Sequence, residues 1–228
     1  LPCRPLSAAF DIRNGNASTN SSNDEGAIDI RYAMLWRGVE ITPYLQLMNE
    51  DTNPFQHSYS TYLAGFSSSG AWGGTAAIWR LSAEYTDSRA TLNLFSFGGR
   101  DAVGLAYNNG MNRDGMRFYN RTLGFSLDSD STLASLLAAV TTAGGTIYRL
   151  ALHNAQISTA ELAAAQTVDP FFRNAVSARP VSIHQLELGL RTPWRSWWLA
   201  LDGRLQNRGI DRSEGMQMAV GLSLSKQF

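Results

Sequence analysis

The groups best placed to do chemistry are three histidines (His57, His153 and His184), one acidic run (Asp128-Ser129-Asp130-Ser131), and arginines and carboxylates at alternating positions. A hydrolase of the Ser–His–Asp type needs a histidine beside a nucleophile and an acid. No nucleophile motif flanks His57 or His153, so both read as solvated rim or lumen residues and no catalysis is expected. The acidic run, with Glu50, Asp51, Glu84, Asp87 and Asp114, offers the oxygen ligands that Ca²⁺ takes. The spacing of a calcium loop is absent. "LDSDST" reads more simply as a tight turn whose Asp and Ser side chains bond their own backbone. No metal and no cofactor is expected.

The remaining polar chemistry is recognition rather than catalysis. "NGNASTNSSNDEG" (14–26), "NEDTNPFQ" (49–56) and "YTDSRATLNLFSFGGRD" (85–101) combine amides, carboxylates, arginine and aromatic rings. Carbohydrate sites use these groups: amides and carboxylates for pairs of hydroxyls, arginine for acidic sugars, ring faces for stacking. A second set, Arg13, Arg31, Arg80, Arg149, Arg191 and Arg204 with Asp11, Asp29, Glu40, Glu84, Glu187 and Asp202, falls on one face of alternating segments. Mixed charges of this kind line a water channel, or pair across it and close it.

The elements that must position these groups are strands. Period-two alternation recurs over 6–13, 27–36, 39–50, 57–67, 76–86, 101–109, 116–127, 132–141, 146–153, 184–191, 197–206 and 216–228. The segments at 57–67, 101–109, 116–127 and 132–141 alternate least clearly. Lengths of about 9–12 residues suit a tilted membrane-spanning strand, whereas soluble strands average about 5–6. One face is apolar with aromatics near strand ends, and the other carries Arg, Glu and Asp, as in outer-membrane barrels. The fold expected is all-β: a transmembrane outer-membrane antiparallel β-barrel of about twelve strands here, one domain over 1–228, part of a larger barrel.

Composition agrees with that reading. Nineteen basic and 19 acidic residues give zero net charge, so no nucleic-acid partner is expected. No run approaches the roughly 18 apolar residues of a membrane helix. Cys3 stands alone, which excludes an internal disulfide and a cysteine metal cluster. The first residues lack the features of a signal peptide, and the chain reads as a mature or truncated piece.

Connection lengths give a separate test. If the last strand descends to the periplasm, 35–38, 67–74, 109–115, 142–145 and 193–196 lie on that side. The external set is then 14–26, 51–56, 87–100, 128–131, 154–180 and 207–214, and it holds every long connection. Within 154–180, "ISTAELAAAQTVDP" (157–170) reads as a short helix over the barrel mouth, capped by Ser158 or Thr159 and ended by Pro170. Trp194, Trp197 and Trp198 fall in the inner girdle. "MQMAVGLSLSKQF" (216–228) ends on Phe228, which resembles the C-terminal signal read by the barrel insertion machinery.

"AEYTDS" (83–88) followed by "YNNGMNRDGMRFYNRTLGFSLDSDS" (107–131) resembles the Wzi family of capsule-assembly proteins. Asp114, Gly115, Arg117, Arg121, Leu123, Gly124, Asp128 and Asp130 match its motifs. Met116 stands for an aromatic, Asn120 for a glycine and Phe125 for a histidine. "RPVSIHQLELGLRTPW" and "LDGRLQNRG" look like the family's last hairpin. The resemblance implies a blocked outer-membrane barrel with a periplasmic helical bundle, acting as a lectin that retains capsular polysaccharide at the cell surface. It places this chain at the C-terminal part, with the bundle and first strands before Leu1. The expected polysaccharide-binding residues are Glu84, Asp87, Arg117, Tyr119, Arg121, Asp128 and Asp130. The expected partners are capsular or other exported polysaccharide, outer-membrane lipid and the insertion machinery. A porin or sugar-selective channel is the alternative on the same fold.

Overall fold

The strongest stretches of alternation all form strands, and they pair antiparallel into one sheet. The computed structural model describes residues 7–11, 25–50, 60–92, 103–108, 117–119, 121–122, 124–210 and 214–226. Its strands are β1 (Ser7–Asp11), β2 (Glu25–Arg31), β3 (Met34–Trp36), β4 (Val39–Glu50), β5 (Ser60–Ala71), β6 (Ile78–Leu92), β7 (Arg117–Phe118) and β8 (Arg121–Thr122). Then come β9 (Thr132–Thr141), β10 (Ile147–Ile157), helix α1 (Ala160–Val168), β11 (Val181–Trp194), β12 (Trp197–Arg208) and β13 (Glu214–Lys226). The sheet runs β1-β2-β4-β5-β6-β9-β10-β11-β12-β13, and β3 also pairs with β4. β1 and β13 are its edges, so the sheet does not close among the described residues.

The segment expected as one strand over 27–36 is interrupted at residues 32–33. Its partner there is Pro43, which has no N–H to give the ladder. Tyr32 still donates its N–H to the Pro43 carbonyl at 3.1 Å. From β4 to β13 the long strands run 10 to 15 residues, enough to cross a bilayer when tilted.

Ladder pairing assigns the two faces. One row reads Tyr44, Gly65, Glu84, Ser135, His153, Gln185, Gln206 and Gln217 across successive strands. A parallel row holds Glu40, Ser69, Arg80, Ala139, Arg149, Gly189, Asp202 and Gly221. The second of these rows lines a concavity of about 960 Å³ touched by strands from β4 to β13, so the sheet curls toward its polar face. The opposite rows are apolar: Phe66, Ala83, Leu136, Leu152, Leu186, Leu205 and Met218 lie side by side. Leu188 is 54% exposed and Val220 68%. A continuous apolar sheet face left this open suits lipid rather than water.

Two strands expected from the sequence are absent. Among the described residues, 103–108 form turns and 116–127 holds only the two-residue strands β7 and β8. β6 pairs directly with β9 along ten positions, Ile78↔Thr141 to Asp87↔Thr132. The interval between them is one long connection. Removing two strands together leaves every other strand on its expected parity. The long connections then share one end of the sheet, and the turns at 37–38, 72–77, 142–146 and 195–196 share the other. β6 also extends to Leu92, so Asp87 belongs to a strand and not to a loop. Helix α1 forms as expected: Thr159 caps it by accepting from the Leu162 N–H at 3.1 Å, Glu161 sits in its first turn, and Pro170 follows its end. No helix among the described residues is long and apolar enough to cross a membrane, which says nothing about strands. Trp198 corrects the expected girdle. It pairs in the ladder with Pro193 and Ser225 on the polar face, where the Arg191 guanidinium lies 4.7 Å from its ring centre.

Candidate functional site

At the long-connection end the inward face changes character. Ala155, Ile157, Val181 and Ile183 replace the charges found lower in the wall, and they are buried against Leu127, Leu133 and Val176. Leu127 comes from the β6–β9 connection and Val176 from the α1–β11 connection. The two segments therefore fold in over the mouth of the curled sheet, covering apolar wall residues that would otherwise face water.

A buried polar network joins these segments. Arg117 donates Nε–H to Asp128 Oδ2 at 2.6 Å, and its Nη2 bonds Asp128 Oδ1, so the pair is bidentate. The same guanidinium reaches Asn108 Oδ1 and the Arg173 carbonyl, each at 3.0 Å. Asp128 is 0% exposed. Unpaired, that charge would be costly. The fork of bonds from Arg117 offsets the desolvation. Asp130 accepts from the Gly104 N–H at 3.0 Å and the Thr159 hydroxyl at 3.1 Å, tying the long connection to the cap of α1. Asn174 donates to the Leu127 and Ser129 carbonyls, and its Oδ1 accepts from the Val176 and Ser177 N–H groups. Ser88 at the end of β6 donates to the Asp128 carbonyl at 2.6 Å. Gly104 is needed where it is: it has φ of 71°, and a Cβ there would stand 2.8 Å from Leu162 Cδ1 of α1.

The run at 128–131 is a turn, as its composition predicts. Asp128 and Asp130 adopt left-handed backbone, with φ of 67° and 52°, and the Ser129 N–H bonds the Asp128 side chain at 2.5 Å. No group of three or more possible metal ligands occurs among the described residues.

The seven residues expected to hold sugar divide into three groups. Asp87, Arg117, Asp128 and Asp130 are buried. Asp87 accepts the Arg89 guanidinium at 2.6 Å and the Thr91 hydroxyl at 3.1 Å. Arg117, Asp128 and Asp130 brace the mouth and Asp87 the end of its own strand, and all four are 5% exposed or less. Glu84 lies in the wall, on the polar strand face where its alternation puts it, and accepts the Tyr44 hydroxyl at 2.5 Å. Tyr119 and Arg121 are different. They sit on the tight β7–β8 hairpin, whose register pairs Phe118 with Arg121 and Arg117 with Thr122. Tyr119 occupies its tip with φ of 48° and is 86% exposed. The buried Arg117 thus anchors one end of a hairpin that holds Tyr119 and Arg121 out to solvent.

Sequence reasoning missed the bracing residues Asn108, Thr159, Asn174 and Ser88. Thr159, Ser88 and Asn174 meet partners 29 to 47 positions away, and Asn108 meets Arg117 across turns, so no local pattern marks these contacts. His153 faces the lumen, one of the two places expected for it, and shares a 2.9 Å hydrogen bond with Ser135 Oγ. His184 lies on the opposite face. His57, Asp114, Phe228 and the segments 14–24 and 51–56 lie outside the described residues.

The family profile of the capsule assembly protein Wzi matches residues 6–143, more than half of the chain. The chain belongs to the Wzi family. Its match includes the hairpin and the buried pair just described, and the expected resemblance rested on those same residues. Among solved structures the sheet is similar to Wzi of Escherichia coli, described as an outer-membrane protein involved in group 1 capsule assembly and a carbohydrate-binding β-barrel. The superposition has a TM-score of 0.58 at 15% identity, over 96% of this chain and 47% of that one. It includes the strands beyond residue 143. The chain therefore spans about half the length of the Wzi structure it matches. No curated protein matches the sequence.

Proposed function

We propose that this chain is one side of an outer-membrane Wzi-type barrel, and that its β7–β8 hairpin binds exported polysaccharide at the cell surface. The observation that carries the reading is the contrast at that hairpin. Arg117 is locked to Asp128, while Tyr119 and Arg121, two and four positions further along the hairpin, stay exposed. A ring held in the open on a braced turn costs little entropy to use, and a sugar can stack on it while a neighbouring guanidinium takes a carboxylate or paired hydroxyls. Repeating sugars add avidity. Arg117, Asp128 and Asp130 position the hairpin, and Glu84 and Asp87 brace the wall. The binding is non-covalent, and the reading includes no enzymatic step.

The orientation follows from connection lengths. Long connections face outward and short turns face the periplasm in barrels of this class. The segments folded over the mouth favour an anchor over an open channel. The test uses the full-length protein in its host. Tyr119→Ala with Arg121→Ala should leave barrel assembly unchanged and shift polysaccharide from cells into the medium at constant total. Unchanged partition with a folded barrel would overturn the hairpin as the sugar site.

A further inference from the structure

The short-turn end of the sheet carries an unusual pairing of residues. Two of its hairpins have the same pattern, an exposed tryptophan followed by an arginine at the tip: Trp36-Arg37-Gly38 between β3 and β4, and Trp194-Arg195-Ser196 between β11 and β12. Both arginines adopt left-handed backbone, with φ of 50° and 59°. That conformation is uncommon outside glycine. Trp36, Trp72 and Trp194 are 58–60% exposed, among the most open aromatics in the sheet. The cations lie along this belt: the Arg37 guanidinium is 5.2 Å from the Trp36 ring centre, and Lys226 Nζ is 6.0 Å from that of Trp197.

Charge is unevenly shared between the two ends. The turn-end segments 34–39, 70–79, 140–148, 192–199 and 222–226 contain Arg37, Arg195 and Lys226 and not one Asp or Glu. The opposite end mixes Asp87, Asp128, Asp130, Glu161 and Asp169 with Arg89, Arg117, Arg121, Arg173 and Arg179. The aromatic belt at the turn end thus carries cations with no acidic residue in the same segments.

We infer that Arg37, Arg195 and Lys226 form headgroup seats for anionic phospholipid, with the tryptophans in the acyl boundary and the cations on the phosphodiester. The inference rests on the membrane reading above. The physics supports it: interfacial tryptophan sits at headgroup level, and a Lys or Arg near an anionic surface gains about 1 kcal/mol, roughly fivefold in affinity. Phospholipid is the committed ligand because apolar strand faces continue directly from the tips. A free phosphate site would have no use for that belt.

The test reconstitutes the full-length protein in phosphatidylcholine vesicles containing brominated lipid, which quenches nearby tryptophan. Brominated phosphatidylglycerol should quench at about one-fifth, or less, of the mole fraction that brominated phosphatidylcholine needs. The preference should fall to about one in R37Q/R195Q/K226Q, and millimolar glycerol phosphate should not compete. Equal quenching by the two lipids, a preference kept by the triple variant, or full competition by glycerol phosphate would each overturn the inference. If neither brominated lipid quenches, the strands are not in the bilayer, and the membrane reading falls with it.

Discussion

The Tyr44 hydroxyl donates to the Glu84 carboxylate at 2.5 Å by reaching over Gly65 on the intervening strand. A Cβ at Gly65 would stand 2.8 Å from the tyrosine ring and 2.7 Å from the Ala83 carbonyl. The same device recurs lower in the wall, where Arg149 and Asp202 meet at 3.0 Å over Gly189. There a Cβ would lie 3.0 Å from Arg149 Nε and 3.1 Å from Asp202 Oδ1. Glycine in a strand interior usually weakens it. Here it clears a lane along which two strands, each one removed from the other, are tied by side chains.

Gly65→Ala should therefore destabilise the barrel by about 1–3 kcal/mol, because the displaced ring and carbonyl have backbone on one side. Tyr44→Phe should cost about 1–3 kcal/mol by leaving Glu84 without its donor. In the double variant the costs should not add, since both break one contact. Urea unfolding in micelles, followed by tryptophan emission, gives the three values. Additive losses would mean that the ring does not depend on the gap at Gly65.

Charge on the apolar face tests the membrane assignment. Leu188→Arg and Val220→Arg should each cost about 2–4 kcal/mol if those positions meet mid-bilayer lipid. Arginine at Ala139 or Ala219, on the polar face of β9 and β13, should cost far less. Folding yield into vesicles separates the two pairs. Equal tolerance on both faces would mean that the faces are misassigned.

Much of this wall was legible in the sequence because alternation is local. Lengths, faces and most boundaries follow from which residues recur at every second position, and α1 follows from its cap and its proline. The interval from Leu92 to Thr132 was not legible in that way. Its residues follow the shape of the mouth rather than a ladder: Leu127 packs on the wall residues Ala155, Ile157, Val181 and Ile183, and the Tyr107 hydroxyl accepts from the Phe125 N–H, so their spacing carries no period. Two weak alternations there imitated strands. The candidate site was half legible for a related reason. Arg117, Asp128 and Asp130 have the chemistry of a sugar site, but only the fold shows that it is spent inside the protein. An exposed Tyr119 and a buried Arg117 two positions apart look alike as letters.

Breaking the Arg117–Asp128 pair should loosen the mouth without unfolding the wall. Arg117→Met leaves a buried carboxylate unpaired, at about 3–5 kcal/mol. Arg117→Lys keeps the charge but loses the fork, and should cost less. Limited proteolysis should cut R117M between residues 93 and 131 while β6 and β9 stay protected, with R117K intermediate. A cut pattern identical to wild type would show that the pair does not hold the hairpin.

The direct pairing of β6 with β9 makes the last expectation the most discriminating. Because the ladder is complete from Ile78↔Thr141 to Asp87↔Thr132, the long connection is not needed to form it. Replacing residues 95–127 with a short Asn-Gly turn should leave a barrel that still inserts. It removes Tyr119, Arg121 and Leu127 together, so polysaccharide retention should fall, and Ile157, Val181 and Ile183 lose part of their cover. An anchor with a covered mouth should show no ion steps in planar bilayers as wild type and should gain them, or gain noise, on truncation. A channel should conduct in both forms. Stable conductance from the intact protein would therefore favour the channel reading, whatever the loop does to retention.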